Sequence, residues 1–183
     1  MAKLVLFMAD GFEEIEGLTV VDVLRRGGVE VTTVSIMEHR VVESSHGVKI
    51  YADAMYADVD FSAYDGLVLP GGMPGTTNLM GHDGVNEQIR AYAAAGKLVA
   101  AICAAPTVLG QAGLLKNIPA TCFPGCEDKL NAAQYTQTQV EHHGNIITGQ
   151  AMGAAIPFAL EILKTVAGQQ SAEKVASSIV FKG

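Results

Sequence analysis

The sequence predicts an α/β fold: a parallel sheet covered by helices on both faces. Three observations predict it. Short apolar, β-rich runs recur along the chain, stretches with helical spacing alternate with them, and glycines sit at the junctions. The strand-like runs show little polar alternation, which fits strands buried on both faces.

Lys3 to Met8 is the first such run, and Gly11 breaks it. Ile15, Leu18, Val21, Val23 and Leu24 then recur at helical spacing, up to a stop at Gly27-Gly28. Val29 to Ile36 is β-rich, and Val41-Val42 with Val48 to Tyr51 predict a small hairpin or edge excursion. Tyr64-Asp65-Gly66 leads into Leu67-Val68-Leu69, which predicts a strand that ends in the turn Pro70-Gly71-Gly72. Val85 to Ala95 predicts a helix closed by Gly96, Lys97 to Ile102 a buried strand, and Pro106 to Gln111 a helix. Ile146 to Thr148 is a late strand, and Ala154 to Val166 a final helix with Pro157 near its first turn. No repeat or linker interrupts residues 1–183, so one domain is expected.

Composition narrows the function classes. Hydrophobic residues make up 49% and charged residues 17%, enough to bury a sizeable core. The net charge of −7 and the lack of a basic strip predict no nucleic-acid partner and no attraction to an anionic membrane surface. The longest low-charge stretch, Leu98 to Leu115, is broken by Pro106, Gly110 and Gly113 and predicts no membrane span. The apolar start is followed at once by Asp10, Glu13, Glu14 and Glu16, unlike a signal peptide. A cytoplasmic protein is therefore expected. Cys103, Cys122 and Cys126 are an odd set, so reduced thiols are expected rather than a disulfide framework.

Sites in such sheets gather at the carboxyl ends of the strands. Three loops belong there: Asp10 to Glu16, Gly71 to Gly75, and the turn at Cys103. At Cys103 a strand runs straight into a helix. A nucleophile on such an elbow needs small neighbours, and Ala101 and Ala105 supply them. A helix N-terminus beside the sulfur would lower its pKa; the alternative is a buried structural cysteine. The Pro70 to Gly75 turn allows close backbone approach and supplies half of an oxyanion hole, with the Ala104 amide as the other half, or it is an ordinary tight turn. Glu13, Glu14 and Glu16 either compensate a helix dipole or send one carboxylate inward toward the thiol; periodicity does not choose among them. No histidine follows Cys103. His39, His46 and His82 lie elsewhere, and His142-His143 precedes Gly144 as an expected turn cap. Cys122 and Cys126 have no convincing metal spacing and read as buried or partly buried thiols.

Together these segments resemble the ThiJ/PfpI superfamily, in particular its parkinsonism-associated deglycase branch with its YajL-like bacterial members. The resemblance is carried by Glu13-Glu14-Ile15-Glu16, by Val21 to Gly28, by Leu69-Pro70-Gly71-Gly72 and by Ala100 to Pro106, with Asp128-Lys129 and Tyr135-Thr136 in addition. It implies a flavodoxin-like three-layer sandwich with a mostly parallel sheet, as in class I glutamine amidotransferases, and a homodimer with Arg26 near the interface. It assigns the nucleophile to Cys103, its acid partner to Glu16, and the backbone donors to Gly72 and Ala104. It implies no cofactor and no metal. The implied activity is cofactor-free turnover of small reactive aldehydes or their protein adducts, of glyoxalase or deglycase type, with protection against oxidative stress. The alternatives are a redox-sensing protein whose Cys103 oxidises to a sulfinate, or a chaperone. The chain departs from the pattern where a histidine commonly precedes the loop proline: Phe123 stands there, and it cannot move a proton. Ala104 occupies the position where the protease branch has a histidine, which argues against peptidase activity.

Overall fold

The computed structural model describes residues 1–182. Its strands are β1 (Lys3–Met8), β2 (Glu30–Ser35), β3 (Val41–Glu43), β4 (Lys49–Tyr51), β5 (Ala54–Met55), β6 (Gly66–Leu69), β7 (Leu98–Ile102), β8 (Pro119–Ala120), β9 (Gln134–Tyr135), β10 (Val140–His143) and β11 (Ile146–Gly149). Its helices are α1 (Glu14–Arg26), α2 (Gly75–Gly81), α3 (Asp83–Ala94), α4 (Pro106–Gln111), α5 (Ala155–Ala167) and α6 (Gln169–Ser178).

Seven strands form the main sheet in the order β10-β11-β7-β6-β1-β2-β5. All neighbours are parallel except β10, which pairs antiparallel with β11. The period of two along each strand builds the layers. Leu4, Leu6 and Met8 face one apolar cluster with Val20, Leu24, Phe158 and Ile162 of α1 and α5. Val5, Phe7 and Ala9 face the other, with Leu79, Val85, Ile89 and Val108 of α2, α3 and α4. The result is the expected three-layer, flavodoxin-like sandwich.

Helix α1 carries its own boundary signals. The Glu13 side chain accepts from the Ile15 amide at 3.4 Å, acidic residues occupy the first turn, and Arg25 and Arg26 occupy the last. Gly28 then takes φ +81° and turns the chain into β2. The expected hairpin is β3–β4, a separate antiparallel pair. Three features differ from the sequence expectation. Gly75–Gly81 is a helix, directly after the glycine loop, where the sequence pattern predicts no element. His142 and His143 lie in strand β10, and the turn they were expected to cap is made by Gly144 at φ +60°. The polar helix α6 follows α5.

The core strands appear in the order β2-β1-β6-β7-β11, so the direction of chain progression reverses between β1 and β6. Ligand crevices open beyond the carboxyl ends of strands at such a switch point. The loops leaving β1, β6 and β7 all end there.

Candidate active site

Cys103 follows β7 directly. It takes φ +66°, a left-handed conformation that is costly for a side chain bearing Cβ. Two hydrogen bonds clamp the elbow. The Cys103 amide donates to the Gly149 carbonyl at 3.0 Å, and the Phe123 amide donates to the Cys103 carbonyl at 2.7 Å. Ala101 and Ala105 are fully buried beneath it, which is why larger residues would not fit. The Ala104 carbonyl accepts from Thr107 Oγ1 at 2.7 Å, and the amides of Ala104 and Gly72 both act on the sulfur.

Glu16 is fully buried. Its Oε2 accepts from the Gly71 amide at 2.8 Å, while Oε1 has no hydrogen-bond partner. A Cβ added to Gly71 would lie 2.6 Å from Cys103 Cβ and 2.8 Å from Glu16 Oε2. The absence of a side chain at Gly71 therefore lets the acid and the thiol meet. Gly72 has φ +88°, and a Cβ there would lie 2.3 Å from the Glu13 nitrogen; this turn must stay bare to pack against the loop leaving β1.

Burial pushes the Glu16 carboxyl up to about 7, against the lowering effects of Cys103 and the Gly71 amide. Burial also pushes the Cys103 thiol up, and the neighbouring Glu16 charge adds to this; the Ala104 and Gly72 amides pull the other way. The lowering expected from the helix start is thus outweighed by burial and by the carboxylate. The pair holds a proton near neutral pH, and protonated Glu16 gains an O–H donor for its unpartnered oxygen and the adjacent sulfur.

A model of the DJ-1/PfpI family matches residues 2–165. The chain belongs to the DJ-1/PfpI family. It is 36% identical over 178 residues to Protein dj-1beta of Drosophila melanogaster, covering 96% of this chain and 95% of that one. It is 32% identical over 171 residues to a Caenorhabditis elegans protein named glutathione-independent glyoxalase DJR-1.2, covering 92% and 90%. Against Protein DJ-1 homolog B of Arabidopsis thaliana the identity is 34% over 98% of this chain, but the chain spans only 42% of that protein's length. The crystal structure of Drosophila melanogaster DJ-1beta superposes with a TM-score of 0.95 at 34% identity, over 100% of this chain and 99% of the other.

Within this DJ-1/PfpI chain the three glutamates at the start of α1, its cap Glu13 included, divide the two sequence readings between them. Glu13 caps the helix, Glu14 meets His46, and Glu16 turns inward. His46 is brought in by the β3–β4 turn, where the Ser45 amide donates to the Phe12 carbonyl at 2.8 Å. Its Nδ1 lies 3.1 Å from Glu14 and 3.7 Å from Glu13, and the contact with Glu14 raises its pKa. No sequence pattern pointed to this group, because the contact depends on how the hairpin folds over α1. Among the described residues Glu13, Glu14 and His46 are also the one set of side chains placed to share a cation. The other histidines are engaged elsewhere: His39 with Asp10, His82 as cap of α3, His142 with Glu161, and His143 with Glu141. Cys122 is buried, Cys126 partly so, and both are free thiols. Arg26 pairs with Asp22 at 2.6 Å beside Leu18 and Ile156. No helix among the described residues is long and apolar enough to cross a membrane.

Proposed function

We propose that this protein is a cysteine-dependent, glutathione-independent glyoxalase that converts small 2-oxoaldehydes to 2-hydroxy acids without a cofactor. The observation that carries this reading is the buried Glu16 beside Cys103, with the Gly72 and Ala104 amides acting on the same sulfur. The name of the nematode relative supports the reaction class.

The chemistry needs one nucleophile, one acid/base and one oxyanion site. Ionised Glu16 takes the Cys103 thiol proton as sulfur attacks the aldehyde carbon, and returns it to the new alkoxide, giving a hemithioacetal. Glu16 next removes the proton on the former aldehyde carbon, and an enediol forms. Reprotonation at the neighbouring carbon gives a 2-hydroxy thioester. Water cleaves it to the hydroxy acid and regenerates the thiol. The carbonyl carbon is reduced and the aldehyde carbon oxidised within one molecule, so no external oxidant is needed. The Gly72 and Ala104 amides serve wherever negative charge builds on oxygen. A carboxyl near 7 suits a group that must both take and give a proton at neutral pH.

Phe123 leaves Glu16 without a second titratable partner in that loop. General acid/base groups contribute roughly 10²–10⁴-fold, so turnover without a second group is slow but measurable. The same reading includes a homodimer with Arg26 at its interface, supported by the exposed Leu18 and Ile156 beside it; sedimentation of the wild type against Arg26→Glu tests this. The reaction is tested by lactate formation from methylglyoxal without glutathione. Loss of activity in both Cys103→Ala and Glu16→Gln is expected. Full activity in Cys103→Ala would overturn the mechanism.

A further inference from the structure

Two borders of unlike chemistry flank the Cys103 elbow. One is acidic and tightly built. The Glu13 amide donates to the Gly71 carbonyl at 2.9 Å. The Glu13 and Glu14 side chains are 13% and 15% exposed and share the imidazole of His46. The other border is apolar. Met73 directly follows Gly72, whose amide acts on the sulfur. Phe123 is tied by its amide to the carbonyl of Cys103 itself. Met73 is 61% exposed and Phe123 48% exposed, while most large apolar side chains of this chain are buried. A single exposed apolar residue needs no explanation. Here two stand on separate loops, each joined through its backbone to the nucleophile or its oxyanion donor.

We infer that the site selects neutral 2-oxoaldehydes bearing an aryl or bulky alkyl substituent, with Met73 and Phe123 as the specificity-determining residues and the Glu13–Glu14 pair as a filter against anionic substrates. The inference rests on Cys103 being the nucleophile of the reaction proposed above. An aryl group that contacts either the Met73 thioether or the Phe123 ring leaves water, and both partners favour contact with aromatic faces. Methylglyoxal offers one methyl group and gains little from either. A substrate bearing a carboxylate or phosphate approaches Glu13, Glu14 and Glu16 together. The basic group in that border, His46, is already committed to Glu14 and Glu13.

Two measurements separate this selectivity from the reaction itself. The first is the rate of Cys103 alkylation by phenacyl bromide, iodoacetamide and iodoacetate, followed by mass spectrometry and divided by each reagent's rate with 2-mercaptoethanol. Phenacyl bromide is expected to exceed iodoacetamide by about tenfold after this correction, the equivalent of one well-packed aromatic contact. Phe123→Ala and Met73→Ala should each bring the ratio toward one, and Phe123→Leu should retain part of it. Iodoacetate should lag iodoacetamide by roughly fivefold, and Glu14→Gln should narrow that gap. A wild-type aryl preference of one, or a preference unmoved in both alanine variants, overturns the inference. The second measurement compares kcat/KM for phenylglyoxal and methylglyoxal. Equal values would overturn the inference and keep the reaction. Absence of turnover with a Phe123-dependent alkylation preference would overturn the reaction and keep the apolar subsite.

Discussion

Cys103 and the pair Cys122 and Cys126 are the same side chain in two settings. Burial raises the thiol pKa in all three. Cys122 reaches about 12, with the neighbouring Cys126 and Glu127 adding to the rise. Only Cys103 adds a left-handed backbone, a buried carboxyl and two amides that act on its sulfur. Burial by itself makes a thiol inert. What distinguishes the elbow is a neighbour that can accept the thiol's proton and donors that can hold the charge left behind.

The sharpest test of this difference is to remove each sulfur in turn. Cys103→Ala should lower kcat/KM for an aryl oxoaldehyde by more than about a thousandfold, the usual scale for loss of a nucleophile. Cys126→Ala should leave it within about twofold, because its side chain is partly exposed and outside the acid–thiol pair. Cys122→Ala should cost about 1 kcal/mol of stability for a small buried volume, with activity retained. Activity that fell equally in all three variants would erase the distinction between the two regions.

Glu16 sharpens the comparison through pH. Its folded pKa of about 7 lies above the ordinary value of 4.5. The folded state therefore binds more protons than the unfolded chain between these values, and stability falls as pH rises through that window. The protonated acid contributes its full share below pH 4.5, and the share is lost by pH 7 and above. The shift corresponds to roughly 3 kcal/mol. Glu16→Gln should therefore melt higher than the wild type under mildly alkaline conditions, with the gap closing on acidification, while turnover drops by roughly 10²–10⁴-fold. Thermal melts across the pH range, beside lactate assays, check both. A variant that lost stability at alkaline pH would show that the charge of Glu16 is compensated in the fold and is not held there at a cost.

Much of this architecture was legible from the chain. β1 and β7 announce themselves because strands buried on both faces carry no polar alternation. Pro106 marked the first residue of α4. The site was legible only in part. The Cys103 elbow shows in the small residues around it, but three carboxylates on one helical turn look alike until α1 docks against Pro70 and Gly71. That docking is a long-range event, and so is the hairpin turn that delivers His46 to Glu14. Helix α2 was hidden by glycines at both its ends, which have poor helix propensity. Helix α6 buries only Ala172 and Val175, too little for a period to show. Strand β10 reads Val-Glu-His-His, and its partner β11 rather than its own pattern makes it a strand.

Two glycines provide the finest division between the regions. Gly125, in the Cys122–Cys126 loop, has φ +96° and open space where a Cβ would go. Gly125→Ala should cost roughly 1–2 kcal/mol from backbone strain alone, with turnover unchanged. Gly71 is not in a left-handed conformation, so Gly71→Ala escapes that strain. Its methyl group would instead enter the space between Cys103 Cβ at 2.6 Å and Glu16 Oε2 at 2.8 Å, with the Ile102 carbonyl at 2.9 Å behind. Overpacking of this kind costs roughly 1–3 kcal/mol, so the two variants should melt at similar temperatures. Their turnover should differ by about tenfold or more, because only the Gly71 methyl forces the acid and the sulfur apart. Equal turnover in the two variants would mean that the reaction tolerates separation of Glu16 from Cys103, and that the carboxyl does not act on the thiol directly.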